Sequence, residues 1–160
     1  MQPVLPKKSN ALGWMVLPYK RYAQFEGRSG RREFWWYCLG LTLSYIAAAL
    51  LGLLILGLLS RTPNLAEGGD AVGAVAALSI SIPILLVFAA NFVPAMALTS
   101  RRLHDIGLPG WLSVVAFFCV ILLSGLAWIA YMVVMSLPPK SGENEYGPPV
   151  YDDDLGSIFS

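Results

Sequence analysis

The stretch RRLHDIGLPGW, residues 101–111, sets two arginines, the single histidine of the chain and an aspartate side by side, then a glycine-rich turn and a tryptophan. By residue type, His104 and Asp105 suit acid–base work near neutral pH. Neighbours on a helix point about 100° apart, however, and no nucleophile is evident beside them. One histidine with no nearby cysteine does not make a metal or haem ligand set. The expected role of His104 is a hydrogen-bonding place in an interfacial charge network. No catalytic residue, cofactor or metal is expected.

A second charged string, FEGRSGRREFWW (residues 25–36), carries Arg28, Arg31, Arg32 and Glu33 just ahead of an apolar run. Ser29 is the expected N-cap of a helix there. Three arginines at a helix N-terminus face the positive end of its dipole, so negative charge should compensate. Anionic lipid headgroups can supply it, at roughly 1 kcal/mol per basic residue near the surface. Glu33 is the internal candidate. Trp35, Trp36 and Tyr37 form an aromatic belt at the same depth, and Trp111 opens the third run in the same way. If the helix before RRLHD runs on, Arg101 and Asp105 are four apart and can pair. With both strings on one membrane face, Arg28, Arg31 and Arg32 come within reach of Asp105, and Glu33 within reach of Arg101 or Arg102.

The elements that must position these residues are apolar and long. Runs at about 34–59, 71–99 and 111–137 hold no charged residue. Each would form a helix of about 40 Å, against a hydrocarbon core of about 30 Å. Composition agrees: 56% of the chain is apolar, 13% is charged and the mean hydropathy is +0.61. Soluble domains carry about 25% charged residues, so lipid is the expected solvent and helices the expected spanning form. The expected fold is an all-α membrane protein with three transmembrane helices and a short N-terminal interfacial helix. A net charge of +1 gives no support to nucleic-acid binding. No phosphate-cradling or dinucleotide glycine motif occurs. Cys38 and Cys119 lie in apolar runs and are expected to be buried thiols.

Orientation follows from the basic residues. Seven Lys and Arg precede the first run, Arg101 and Arg102 follow the second, Arg61 lies in the first loop and Lys140 in the tail. The positive-inside rule makes the N-terminus cytoplasmic, in a multi-pass protein of the bacterial inner (plasma) membrane. The third run carries Ser124 and Gly125 at its middle. One tilted helix is the favoured reading and sends the tail outside. A re-entrant hairpin, which keeps the tail inside, is the alternative, because half-helices of about 17–20 Å cannot cross separately. Small residues recur at Gly40, Ser44, Ala48 and Gly52, and again at Gly73, Ala77 and Ser81, as candidate helix contacts. Pro83 and Pro94 are expected to kink the second run, and Asn91 between them needs a polar partner.

Ahead of the runs, Leu12, Met15, Val16, Tyr19 and Tyr22 fall at helical spacing beside Lys20 and Arg21, which predicts an interfacial helix broken or started at Pro18. Trp14, Tyr19, Tyr22 and Phe25 suit headgroup depth. Residues 1–10 are expected to be disordered, 11–149 to form the membrane domain, and the acidic end 150–160 to be a disordered tail.

The strings GRSGRREFW, RRLHDIGLPGW and GENEYGP, in this order, resemble the YhaH/YhaI-like bacterial inner-membrane family, a domain of unknown function (DUF805). The resemblance covers roughly residues 17–149. It implies a small helical inner-membrane protein with no assigned reaction. The family's motif positions fall on Gly27, Arg28, Arg31, Phe34, Trp35, Arg101, Arg102, Leu103, His104, Asp105, Gly107, Gly110, Trp111, Asn144, Tyr146 and Gly147. The roles of Gly27, Gly107, Gly110, Asn144, Tyr146 and Gly147 are unassigned. Pro109 stands where a small polar residue is usual, and YGPPV departs from the usual ending.

The functional expectation is a non-enzymatic membrane module. Its cytoplasmic surface of Arg28, Arg31, Arg32, Glu33, Trp35, Arg101, Arg102, His104, Asp105 and Trp111 would bind anionic phospholipid headgroups or a protein partner, a second copy included. A subunit of a small oligomeric transporter or channel is the alternative. An enzyme on a lipid or phosphate substrate is a more distant one.

Overall fold

In the computed structural model, residues 5–7, 9–61 and 70–150 are described. Among them are four helices: α1 (Ala11–Lys20), α2 (Arg31–Leu59), α3 (Asp70–Asp105) and α4 (Leu112–Ser136). Apart from an isolated bridge between Asn144 and Gly147, no β-structure occurs among the described residues. Two helices, Arg31–Leu59 and Val72–Asp105, are long and apolar enough to cross a membrane. Both overrun the uncharged runs at one end. α2 starts at Arg31, and α3 continues through the whole of RRLHD.

The chain divides into two units, residues 1–37 with 93–160, and residues 38–92. In the second unit α2 and α3 meet backbone to backbone. A Cβ placed on Gly52 would lie 2.7 Å from Ser79 O and 2.8 Å from Ile80 Cα. Gly52 therefore acts as a close-contact residue of the expected stripe, and Ala48, one turn before it, is buried. On α3 the contact falls on Ser79 rather than on Gly73, whose Cβ position meets nothing within 4 Å. Asn91 finds its polar partner within its own helix, donating from Nδ2 to Val87 O at 2.8 Å.

α1 begins at Asn10, whose Oδ1 accepts from Gly13 N at 2.9 Å. Pro18 lies inside the helix and neither starts nor breaks it. Leu12, Val16, Tyr19 and Tyr22 face outward as expected. Trp14 does not sit at the surface. It is buried, its Nε1 donates to Lys7 O, and the guanidinium of Arg32 lies 5.7 Å from its ring centroid. Lys7 O and Asn10 Oδ1 thus bond to α1. The acidic end from Tyr151 onward, with Glu67 of the first loop, lies outside the described residues.

α4 departs most from expectation. Its first turn follows Gly110, whose Cβ position would lie 2.1 Å from Ser100 Oγ. Its last turn returns to the same place, where Arg102 donates to Met135 O at 3.0 Å and also to Leu137 O. A straight helix of 25 residues would be about 37 Å long, and its two ends could not both touch residues 100–102. The run is therefore not one straight tilted helix but folds back on itself. With both ends at one level, the bend lies near the middle of the run. Arg102 holds the C-terminal carbonyls of the run at this level.

Candidate functional site: a buried arginine–carboxylate cluster

The N-terminal turn of α2, the C-terminal turn of α3, the end of α4 and the tail all lie in the first unit. Each brings charge or orphan backbone groups to one place. Glu33 enters in the first turn of α2, where a carboxylate complements the dipole. Arg101 Nη2 donates to its Oε1 at 3.0 Å, and Arg21 Nη1 to its Oε2 at 3.2 Å. Ser29 Oγ donates to the same Oε2 at 2.9 Å. Ser29 thus holds the carboxylate in place, which is not the capping role expected of it.

Asp105 ends α3 between two guanidinium groups. Arg28 Nε meets its Oδ1 at 2.9 Å, and Arg102 Nη1 its Oδ2 at 2.6 Å. The side chains of Arg101 and Arg102 are fully enclosed, and Arg28 and Asp105 nearly so. The expected pairing of Arg101 with Asp105 is replaced by Arg101 with Glu33 and Arg102 with Asp105. Four buried arginines face two carboxylates. Backbone carbonyls, with the Gln24 side-chain oxygen, take up most of the remaining donors, since an unpaired buried N–H is costly.

Those carbonyls show what the arginines accomplish. Arg102 caps the last turn of α4 through Met135 O and Leu137 O. Arg101 Nη1 donates to Gln24 O at 2.7 Å and Arg21 O at 3.2 Å, holding the α1–α2 connection. Among the described residues, Arg101 Nε is left as a buried side-chain atom without a partner. Arg28 reaches Lys140 O and Gly142 O, both at 2.8 Å, and Gly147 O at 3.4 Å. One fork-shaped side chain therefore gathers three carbonyls of the tail, a geometry that lysine cannot reproduce.

The glycines of unassigned role have physical reasons. Gly107, at φ +82°, ends α3 in a Schellman motif: Gly107 N donates to His104 O and Leu108 N to Leu103 O. Gly110 lets the start of α4 pass against α3, since its Cβ position would lie 2.6 Å from His104 Nε2. Gly27, at φ +83°, offers its carbonyl to His104 Nδ1 at 3.0 Å, which makes that nitrogen the protonated one. His104 is stacked on Tyr146 with centroids 3.8 Å apart and planes 5° from parallel. Asn144 Nδ2 donates to His104 O at 2.9 Å, and Lys140 N to Asp105 O at 2.8 Å. The GENEYG string therefore belongs to the same site as both arginine strings. A tail on the opposite membrane face would not allow these bonds.

Of the residues named from sequence, Arg28, Glu33, Arg101, Arg102, His104, Asp105, Gly27, Gly107, Gly110, Asn144, Tyr146 and Gly147 come together. Arg31, Trp35 and Trp111 do not; all three are exposed. Arg32 packs on Trp14 instead. Arg21, Gln24, Lys140 and Gly142 were not anticipated; Lys140 and Gly142 act through backbone carbonyls that no side-chain pattern reports, and Gln24 through its carbonyl and through Oε1, which accepts from Arg21 Nε. Both oxygens of Asp105 lie on guanidinium groups, and His104 Nδ1 meets Gly27 O. Among the described residues, no three His, Cys, Asp or Glu side chains group as metal ligands.

Long apolar helices closed at one end by buried ion pairs define a helical membrane protein. Residues 22–148 match the family described as "Protein of unknown function (DUF805)", and the chain belongs to that family. It is 29% identical to Inner membrane protein YhaI of Escherichia coli K12 over 136 residues, covering 84% of this chain and 92% of the relative. To Inner membrane protein YhaH of the same strain it is 26% identical over 137 residues, 86% and 95% of the two chains. No solved structure matches. The relatives support an inner-membrane location for this protein.

Proposed function

We propose that the protein is a non-enzymatic inner-membrane module with a cytoplasmic N-terminus. Two helices cross the bilayer, α4 dips in and returns, and the tail ends on the cytoplasmic side. The folded-back α4 supports this topology, as does charge. With the tail on that side, ten of the eleven Lys and Arg residues share the cytoplasmic face and Arg61 alone lies opposite.

The observation that carries the reading is the burial of Arg28, Arg101 and Arg102, with most of their donors already on carboxylates and carbonyls. Such arginines staple the module together and are not open to a headgroup or a substrate. Contact with anionic phospholipid passes instead to the exposed rim, where Lys20 and Arg31 stand with Tyr19, Trp35 and Trp111. Aromatic rings and basic side chains suit that depth.

Native mass spectrometry of protein released from phosphatidylglycerol-containing membranes tests the rim. The Lys20→Ala/Arg31→Ala variant should retain several-fold less anionic lipid than wild type. Equal retention would remove the lipid reading. Sidedness is tested with a single cysteine at Ser141 after replacing Cys38 and Cys119. An impermeant maleimide should label it in inverted vesicles and not in intact cells; labelling from outside would overturn the topology.

A further inference from the structure

Both ends of α4 are fixed at one level, and the most exposed side chains of the helix lie at its middle. Leu122, Leu123 and Leu126 are 75%, 66% and 83% exposed, with Ile121 and Ile129 beside them at 58% and 57%. At the mouth, Trp111 is 64% exposed next to the buried cluster. The polar groups of the run's ends are bonded inside the protein, through Arg102 at one end and the Gly110 turn at the other. The side chains most exposed at its middle, Leu122, Leu123 and Leu126, are hydrocarbon.

Each half of the 25-residue run would reach about 18 Å. The hydrocarbon core is about 30 Å thick, so a hairpin entering from one face ends close to the midplane. We infer that α4 is a one-leaflet wedge: it seats its leucine tip among the acyl chains of the cytoplasmic leaflet and adds two helix cross-sections to that leaflet and none to the other. The partner it fits is a lipid leaflet with room for it, one that is loosely packed or curved outward on the cytoplasmic side. One-sided insertion of apolar surface is the situation in which membrane binding becomes sensitive to curvature.

The inference rests on the folded-back topology proposed above, and the test separates the two. The Ser141→Cys protein lacking Cys38 and Cys119 is reconstituted into small sonicated and large extruded vesicles of one phosphatidylethanolamine–phosphatidylglycerol mixture. An impermeant maleimide then counts the tails facing outward. A wedge gives a several-fold excess of outward tails in small vesicles and near parity in large ones. In parallel, nitroxides are placed at Val114→Cys, Leu126→Cys and Val133→Cys, all exposed positions where a label displaces no packed neighbour. Shallow labels at 114 and 133 on one face, with 126 near the midplane, establish the hairpin. If these hold and vesicle size has no effect on orientation, the wedge is wrong and the topology stands. If 114 and 133 emerge on opposite faces, both fall.

Discussion

Glu33 and Arg101 are 68 residues apart in sequence and meet at 3.0 Å, with neither side chain exposed. The pair joins the first turn of α2 to the last turn of α3, so the two long helices are tied at the end that carries the charge. Arg21 shares the same carboxylate. Glu33→Gln should therefore lower stability by about 3 kcal/mol, in the range for breaking a buried ion pair. The midpoint of thermal unfolding in detergent measures this. Combining Glu33→Gln with Arg101→Gln should cost less than the two single changes added together, and strict additivity would mean the pair is not coupled.

Arg28 acts through geometry more than charge. Arg28→Lys keeps the cation beside Asp105 and loses the fork that holds Lys140 O, Gly142 O and Gly147 O. Amide hydrogen exchange over residues 140–147 should quicken by about tenfold or more as the local opening energy drops, while exchange in the spans stays as in wild type. An unchanged tail would show that Asn144 and the His104–Tyr146 stack are enough to hold it.

Gly110 is a close-approach residue. A methyl group there meets Ser100 Oγ and the His104 ring, and the ring is held by Gly27 O and by the stack on Tyr146. Gly110→Ala should destabilise by about 1–3 kcal/mol, the usual result of overpacking. Ser100→Gly in the same chain should recover part of the loss, since it removes the nearest atom. Failure of that rescue would place the strain on His104.

Gly107 and Gly57 separate backbone from packing. Gly107 has positive φ at the end of α3, so Gly107→Ala should cost about 1 kcal/mol. Gly57 lies within α2 with nothing inside 4 Å of its Cβ position, and Gly57→Ala should cause no loss. Paired unfolding measurements in one detergent check both.

Much of the architecture is readable from residue order alone. Uncharged runs long enough to span leave the backbone no solvent but itself, so α2 and α3 follow from composition. The one-sided placement of Lys and Arg predicts that both arginine strings share a face, and the cluster conforms to this. Opposite charges at helix ends also made Arg28 with Asp105 and Glu33 with Arg101 foreseeable partners.

Three-dimensional contact decided what a one-dimensional pattern does not encode. Arg101 lies four residues before Asp105 and pairs elsewhere, because Glu33 offers it a buried carboxylate while Arg28 and Arg102 occupy both oxygens of Asp105. Hydropathy treats 111–137 as one crossing, since apolar length says nothing about where a helix must end. Arg102 sets that end by gathering the carbonyls of Met135 and Leu137, and Gly110 sets the beginning by lying against Ser100. The tail enters the site through backbone oxygens of Lys140, Gly142 and Gly147, atoms that every residue carries and no sequence pattern distinguishes.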